Sequence, residues 1–164
     1  MELFSHFPQI VYNDQLIKDI TIRLDFIQRI KDNISLFQYV QLRGGQRPED
    51  IAEIFYGDPT LYWIVLFIND VVDPYYGWLL TDSQLWSYVN KKYSDPYATH
   101  HYEAITGSLL DIGTIVDSTA SFKIAVTNLA YEQSQNELKR KIKILKSDYL
   151  AQVLSEYQTE LRSN

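Results

Sequence analysis

Eight consecutive residues, Leu61 to Ile68, read Leu-Tyr-Trp-Ile-Val-Leu-Phe-Ile and leave almost no polar position. The run is far short of the roughly 20 apolar residues that cross a bilayer as a helix. A helix without a polar face must instead be enclosed by other elements on most sides. At about 1.5–3 kcal/mol for each large side chain fully buried, the segment offsets much of the backbone entropy of its own ordering. What precedes it sets its start. Pro48 suits a first helical turn, where its missing N–H has no partner and its fixed φ already fits, and Glu49 and Asp50 follow at the positive end of the helix dipole. Ile51, Ile54 and Phe55 then share one stripe of a short helix that stops at Gly57. Asp58 and Pro59 open the next helix at once, with the carboxylate placed to accept from an otherwise unpaired N–H. Trp63 lies within it. Asp73 and Pro74 mark a turn, and Tyr75, Tyr76, Gly77 and Trp78 form an aromatic cluster around one flexible residue.

Phe37 to Leu42 before this pair of helices, and Trp78, Leu79 and Leu80 after it, suggest a β-α-α-β unit. Over RPEDIAEIFYGDPTLYWIVLFIND and DPYYGW the chain resembles the baseplate wedge subunits of contractile-tailed bacteriophages, whose central segment is LysM-like. The resemblance extends more loosely to FPQIVYNDQLIKDIT near the start and NELKRKIKILKSDYL near the end. It implies an α+β fold in three parts: a hairpin and helix arm over 1–36, a LysM-like central domain with a following helix over 37–95, and a hairpin region with a docking helix over 96–164. It further implies a non-enzymatic structural protein of the virion, assembled in the host cytoplasm and present in several copies per baseplate. Its role would be to join neighbouring wedge components and help close wedges into the ring around the tail hub. The implied partners are the wedge-core subunits and the sheath-initiating subunit.

The rest of the chain is compatible with that expectation. A net charge of −6 over 164 residues argues against a protein whose main task is to hold nucleic acid. Without cysteine no disulfide framework or thiolate metal site can form, which suits a reducing compartment. MELFSHFPQIVYNDQ lacks the basic and continuous apolar regions of a signal peptide, so a protein without a membrane segment is expected. Thirteen tyrosines exceed what one small core usually needs, and tyrosine is favoured where an apolar body is covered and a polar tip stays near water.

Taken in order, Gln9–Tyr12 and Leu16–Ile20 flank Asn13 and Asp14 as a short hairpin. Ile22, Phe26, Ile27 and Ile30 keep helical spacing. Thr81 with Gln84 is a capping-box pattern opening a helix through Leu85, Tyr88 and Val89, which ends before Asp95 and Pro96. Residues 97–126 read as irregular hairpins broken at Gly107 and Gly113, Tyr131–Arg140 as helix-prone, and Lys141–Leu145 as a short extended link. Ser147 or Asp148 caps a final helix whose Leu150, Val153, Leu154, Tyr157 and Leu161 form one apolar stripe.

Chemistry-bearing constellations are sparse. His100 and His101 beside Glu103 invite a metal or acid–base reading, but adjacent residues of a strand point to opposite faces and do not easily share one ion, and exposed loop histidines are the plainer reading. Asp70 and Asp73 fit a helix end and a turn better than a carboxylate pair. No GxSxG elbow is present, and Gly44-Gly45 lacks the spacing of a phosphate loop. Lys139, Arg140, Lys141, Lys143 and Lys146 read as a solvated face or a patch for an acidic neighbour. Tyr75, Tyr76 and Trp78, together with Leu150, Leu154 and Tyr157, are the candidate protein interface, with no catalytic, cofactor or metal residue expected. The rival for the aromatic cluster is sugar stacking, as in a LysM-type peptidoglycan-binding module of the tail. A third reading is a small lytic enzyme using Glu103 or Asp73.

Overall fold

The helix pair turns at Gly57, and the first unit is built around that turn. A computed structural model describes residues 7–18, 30–105 and 113–163. Helix α1, Pro48–Tyr56, begins with proline as expected, and the Asp50 carboxylate accepts the Arg47 N–H at 2.8 Å. Gly57 adopts φ 68°, ψ 14°, and its N–H reaches the Glu53 carbonyl at 3.0 Å. This left-handed position costs glycine little and other residues more. Asp58 then accepts from both the Thr60 N–H and hydroxyl, at 2.9 and 2.6 Å. A 3₁₀ turn, Pro59–Leu61, leads into α2, Tyr62–Ile68, and the two helical segments meet at 119°. Trp63, Ile64, Val65, Leu66 and Ile68 are all buried, as the absence of a polar face requires. One expectation shifts within α1. Ile54 is exposed while Ala52 is buried with Ile51, so the covered stripe lies one residue from the predicted one.

Contacts along the chain divide it into two units, residues 1–78 with 141–164, and residues 79–140. In the first, strand β3, Phe37–Gln41, pairs antiparallel with Lys141–Leu145, here called β7. The β-α-α-β unit is therefore closed by the segment read as an extended link, and residues 78–80 form no strand. Alternation explains the choice. Ile142, Ile144 and Leu145 are buried while Lys141 and Lys143 face out, a half-buried strand pattern that Trp78-Leu79-Leu80 does not carry. The expected central segment 37–95 accordingly divides after Trp78, between the two units.

Helix α5, Ser147–Ser163, follows β7 and buries Val153, Tyr157 and Leu161. The Tyr157 ring lies 4.9 Å from that of Trp63, centroid to centroid, and Phe67 meets Trp63 edge-on at 5.8 Å. Burial pushes the Tyr157 phenol up to about 12. The N-terminal hairpin forms as expected: β1, Gln9–Tyr12, pairs with β2, Gln15–Lys18, across Asn13 and Asp14, both at positive φ. Two consecutive positive φ values match the tight turn that follows the twist of paired strands. Ile30 is buried, and residues 22–29 of the expected first helix lie outside the described residues.

The second unit contains α3, Asp82–Lys92, whose Thr81 and Gln84 cap it reciprocally as the sequence predicts. Strands β4 (Thr99–Ala104), β5 (Ile115–Val116) and β6 (Lys123–Thr127) form an antiparallel sheet in the order β5-β4-β6. Gly107 lies outside the described residues, while Gly113 takes φ 84°. Helix α4, Asn128–Leu138, starts directly after β6, earlier than its polar sequence suggests, because Thr127 caps it by accepting the Ala130 N–H. Leu80, Leu85 and Val89 make the apolar centre with Tyr88, Tyr93 and Leu129 beside them.

Candidate functional site

The predicted interface residues separate into covered and open ones. Asp73 builds the aromatic turn: its carboxylate accepts the N–H groups of Tyr75 and Tyr76 at 2.8 and 3.3 Å, and its carbonyl accepts that of Gly77 at 2.8 Å. A Cβ on Gly77 would sit 2.5 Å from that carbonyl oxygen, so glycine is required by close approach. Tyr75 is left 80% exposed and Tyr76 47%. Trp78 goes the other way. It is 6% exposed, and its Nε1–H donates to the Gln46 carbonyl at 2.8 Å. Burial with a satisfied polar edge makes Trp78 a core residue, since an indole needs both. Tyr157 likewise belongs to the core against Trp63, and Leu150 and Leu154 are half-buried on the flank of the same helix. The terminal stripe thus finds most of its cover within its own unit.

A surface not singled out as a contact is the β1-β2 hairpin. All eight of its strand residues are exposed, among them Ile10, Val11, Tyr12, Leu16 and Ile17. Cross-strand register puts Ile10, Ile17 and Tyr12 on one face and Val11 and Leu16 on the other. The signal was legible: Ile10-Val11-Tyr12 is a continuous apolar run where a hairpin with one wet face would alternate. An isolated two-stranded hairpin is marginal in water, so cover on both faces would stabilise it.

Asparagine side chains complete two backbone edges. Asn69 accepts the Lys143 N–H at 2.7 Å and donates to the Lys143 carbonyl at 2.8 Å, occupying the outer edge of β7 at its middle residue. Asn136, in the second unit, does the same for Leu80, with both bonds at 2.9 Å. The charged residues of the basic run are largely engaged. Arg140 is bound by both Glu137 oxygens at 2.6 Å, Lys141 lies 4.6 Å over the Tyr39 ring, and Lys146 donates to the Ser35 carbonyl at 2.6 Å. Asp70, at φ 56°, pairs with Lys31, and so serves the helix end.

The second unit holds two polar clusters. Glu132, buried on α4, accepts from Lys92 at 2.7 Å and from the Tyr93 hydroxyl at 2.8 Å. Burial opposes its charge, but these two hydrogen bonds, with the charges of Lys92 and Lys139, outweigh it and hold the carboxyl below its ordinary range. The bond to Glu132 in turn raises the Lys92 ammonium. In the other cluster the expectation that His100 and His101 point apart is overturned. The pairing of β4 with β6 slips by one residue between Thr99 and His101, and this bulge lets neighbouring side chains share a side. Their Nδ1 atoms lie 2.8 Å apart, and His101 Nε2 lies 3.2 Å from the Glu103 carboxylate. They sit on a strand and not in a loop. Among the described residues no group of three or more His, Cys, Asp or Glu forms a metal-ligand set.

An aromatic turn and an apolar hairpin, both exposed, place this small α+β chain in the broad class of proteins that carry uncovered apolar surface. Comparison narrows that class. A family model described as "Base plate wedge protein 53" matches residues 9–108, more than half of the chain, and the chain belongs to this family of phage baseplate wedge proteins. Over 71 residues it is 37% identical to the baseplate wedge protein gp53 of Enterobacteria phage T4, an alignment covering 43% of this chain and 36% of that protein. The chain thus matches about a third of that relative's length.

Proposed function

We propose that this chain is a wedge subunit of the phage tail baseplate that joins neighbouring wedge components and helps close wedges into the ring around the tail hub. It acts by contact and not by catalysis. It is assembled in the host cytoplasm, in several copies per baseplate, against the wedge-core subunits and the sheath-initiating subunit. Family membership supports the setting. The observation that carries the joining role is the β1-β2 hairpin, whose two apolar faces are both exposed. The open Tyr75 and Tyr76, with the half-buried Leu150 and Leu154, are the second contact surface in this reading. The β3-α1-α2-β7 order, with its strands antiparallel, supports a LysM-like centre whose second strand arrives after the inserted residues 79–140. In this use the centre is a scaffold for assembly.

A few anchors carry most of the energy of an interface, and a specific one buries at least about 1,000 Å² in total. Two charged variants therefore test the reading: Val11→Asp with Leu16→Asp, and Tyr75→Asp with Tyr76→Asp. Each should melt close to the parent protein yet fail to complement a phage lacking this gene, with unjoined wedges accumulating. Full infectivity from both variants would refute the joining role. Loss of folding in both would show that these residues are core.

A further inference from the structure

The histidine pair on β4 carries an assignment of its own. His101 is held on one side by Glu103, at 3.2 Å from its Nε2, so its Nε2–H donates and its Nδ1 keeps a lone pair. The His100 ring stacks on Tyr131 at 3.9 Å and 9°, and Tyr93 meets it edge-on at 6.3 Å. Tyr131 also meets His101 edge-on, at 5.8 Å. Both rings are thus oriented before anything binds, and the bulge turns their Nδ1 atoms toward each other. The 2.8 Å contact is then a hydrogen bond from the His100 Nδ1–H to the His101 Nδ1, and moving the His100 proton to Nε2 leaves both lone pairs facing one point.

We propose that His100 and His101 bind a divalent transition ion of the zinc, nickel or copper class through their two Nδ1 atoms, with Glu103 orienting His101 from behind. Imidazole suits this class of ion. Two nitrogens on a tetrahedral ion at about 2.0–2.1 Å stand roughly 3.3 Å apart, so the 2.8 Å pair need open by only about 0.5 Å. The ion replaces the hydrogen bond between the two rings, and His100 makes the adjustment by a small slide along the Tyr131 face. A carboxylate accepting the far N–H of a metal-bound histidine is the usual supporting contact: it fixes the tautomer and raises the basicity of the ligating nitrogen. Water fills the other coordination positions, and the ion ties together the two residues at the bulge. Glu132, engaged by Lys92 and the Tyr93 hydroxyl, lies in the neighbouring cluster and is not a ligand.

The test is calorimetric titration of the untagged full chain with nickel or zinc chloride at about pH 7.5. One saturable site per chain is expected. His100→Gln and His101→Gln should each abolish it, Glu103→Gln should weaken it by about 10–100-fold, and His6→Gln should leave it unchanged. Paramagnetic broadening by nickel of amide signals in the unmodified protein should centre on residues 99–103, a readout that depends on no variant folding. Absence of saturable binding, broadening centred elsewhere, or binding that survives His101→Gln would overturn the assignment.

Discussion

Replacing Trp63 by alanine probes the contact between the all-apolar helix and the C-terminal helix. The indole is 3% exposed and lies between Phe67 on its own helix and Tyr157 on α5. A tryptophan buries about 150–250 Å², which at about 25 cal/mol per Å² is roughly 4–6 kcal/mol. Alanine keeps the Cβ and the site collapses in part, so the expected loss is about 3–5 kcal/mol. Against a typical total of about 5–15 kcal/mol this is a large fraction. With a urea m-value of about 1–3 kcal/mol per M, the midpoint should fall by at least ~1 M. Far-UV circular dichroism follows the transition, and amide exchange over 147–163 reports whether α5 loosens with it. Combined with Tyr157→Ala, the cycle should show a coupling of about 0.5–1.5 kcal/mol, since the rings touch. A midpoint shift below ~0.3 M, or unchanged exchange in α5, would refute the claim that this contact joins α2 to α5.

Three further outcomes are expected. Gly57→Val should cost more than ~1 kcal/mol, measured by thermal melting. Since an added Cβ meets nothing within 4 Å, the cost is backbone strain at φ 68° and Gly57→Asn should recover most of it. Asn136→Ala leaves the N–H and carbonyl of Leu80 without this partner and should cost about 2–4 kcal/mol, with the Leu80 amide losing exchange protection. Glu132→Gln should be pH-dependent. The lowered folded-state value means that the carboxylate stabilises fully above its unfolded range, about 4.3, and loses this contribution as pH falls through the folded value. The variant's deficit should therefore be largest near neutrality and shrink in acid, as followed by urea midpoints across pH.

Local chemistry was readable and distant pairing was not. Pro48, Gly57, Asp58, Pro59, Thr81 and Asp73 each act through a few neighbouring atoms, and each is found in the geometry its type implies: caps, a positive φ, an Asx turn. The partner of β3 is a different problem. Nothing in Phe37–Gln41 states that its mate lies beyond residue 140, and Lys141–Leu145, read as a short extended link, shows its half-buried alternation only once paired. Trp78 and Tyr157 show the matching ambiguity for surfaces. An aromatic residue is suited to core and interface alike, and only the Gln46 carbonyl and the Trp63 ring decide for core. The histidine pair escaped because the alternation rule assumes an unbroken strand, and one extra residue in β4 cancels it.

The asparagine clasp at Leu80 bears on how the chain reaches its folded state. β3 cannot pair until β7 exists, and the two are separated by residues 42–140, of which 79–140 form the other unit, so closing the first unit from a disordered chain means fixing the ends of a long loop. Asn136 binds Leu80 across 56 residues, and once the second unit has folded that stretch no longer counts toward the loop. Since closure entropy scales as about (3/2)RT ln n, cutting the roughly 100-residue loop between Gln41 and Lys141 to about 40 lowers the cost by a little under ~1 kcal/mol. During synthesis the second unit emerges complete before Lys141 does. The interruption that splits the first unit in sequence thus serves as the splint that brings its two strands within reach.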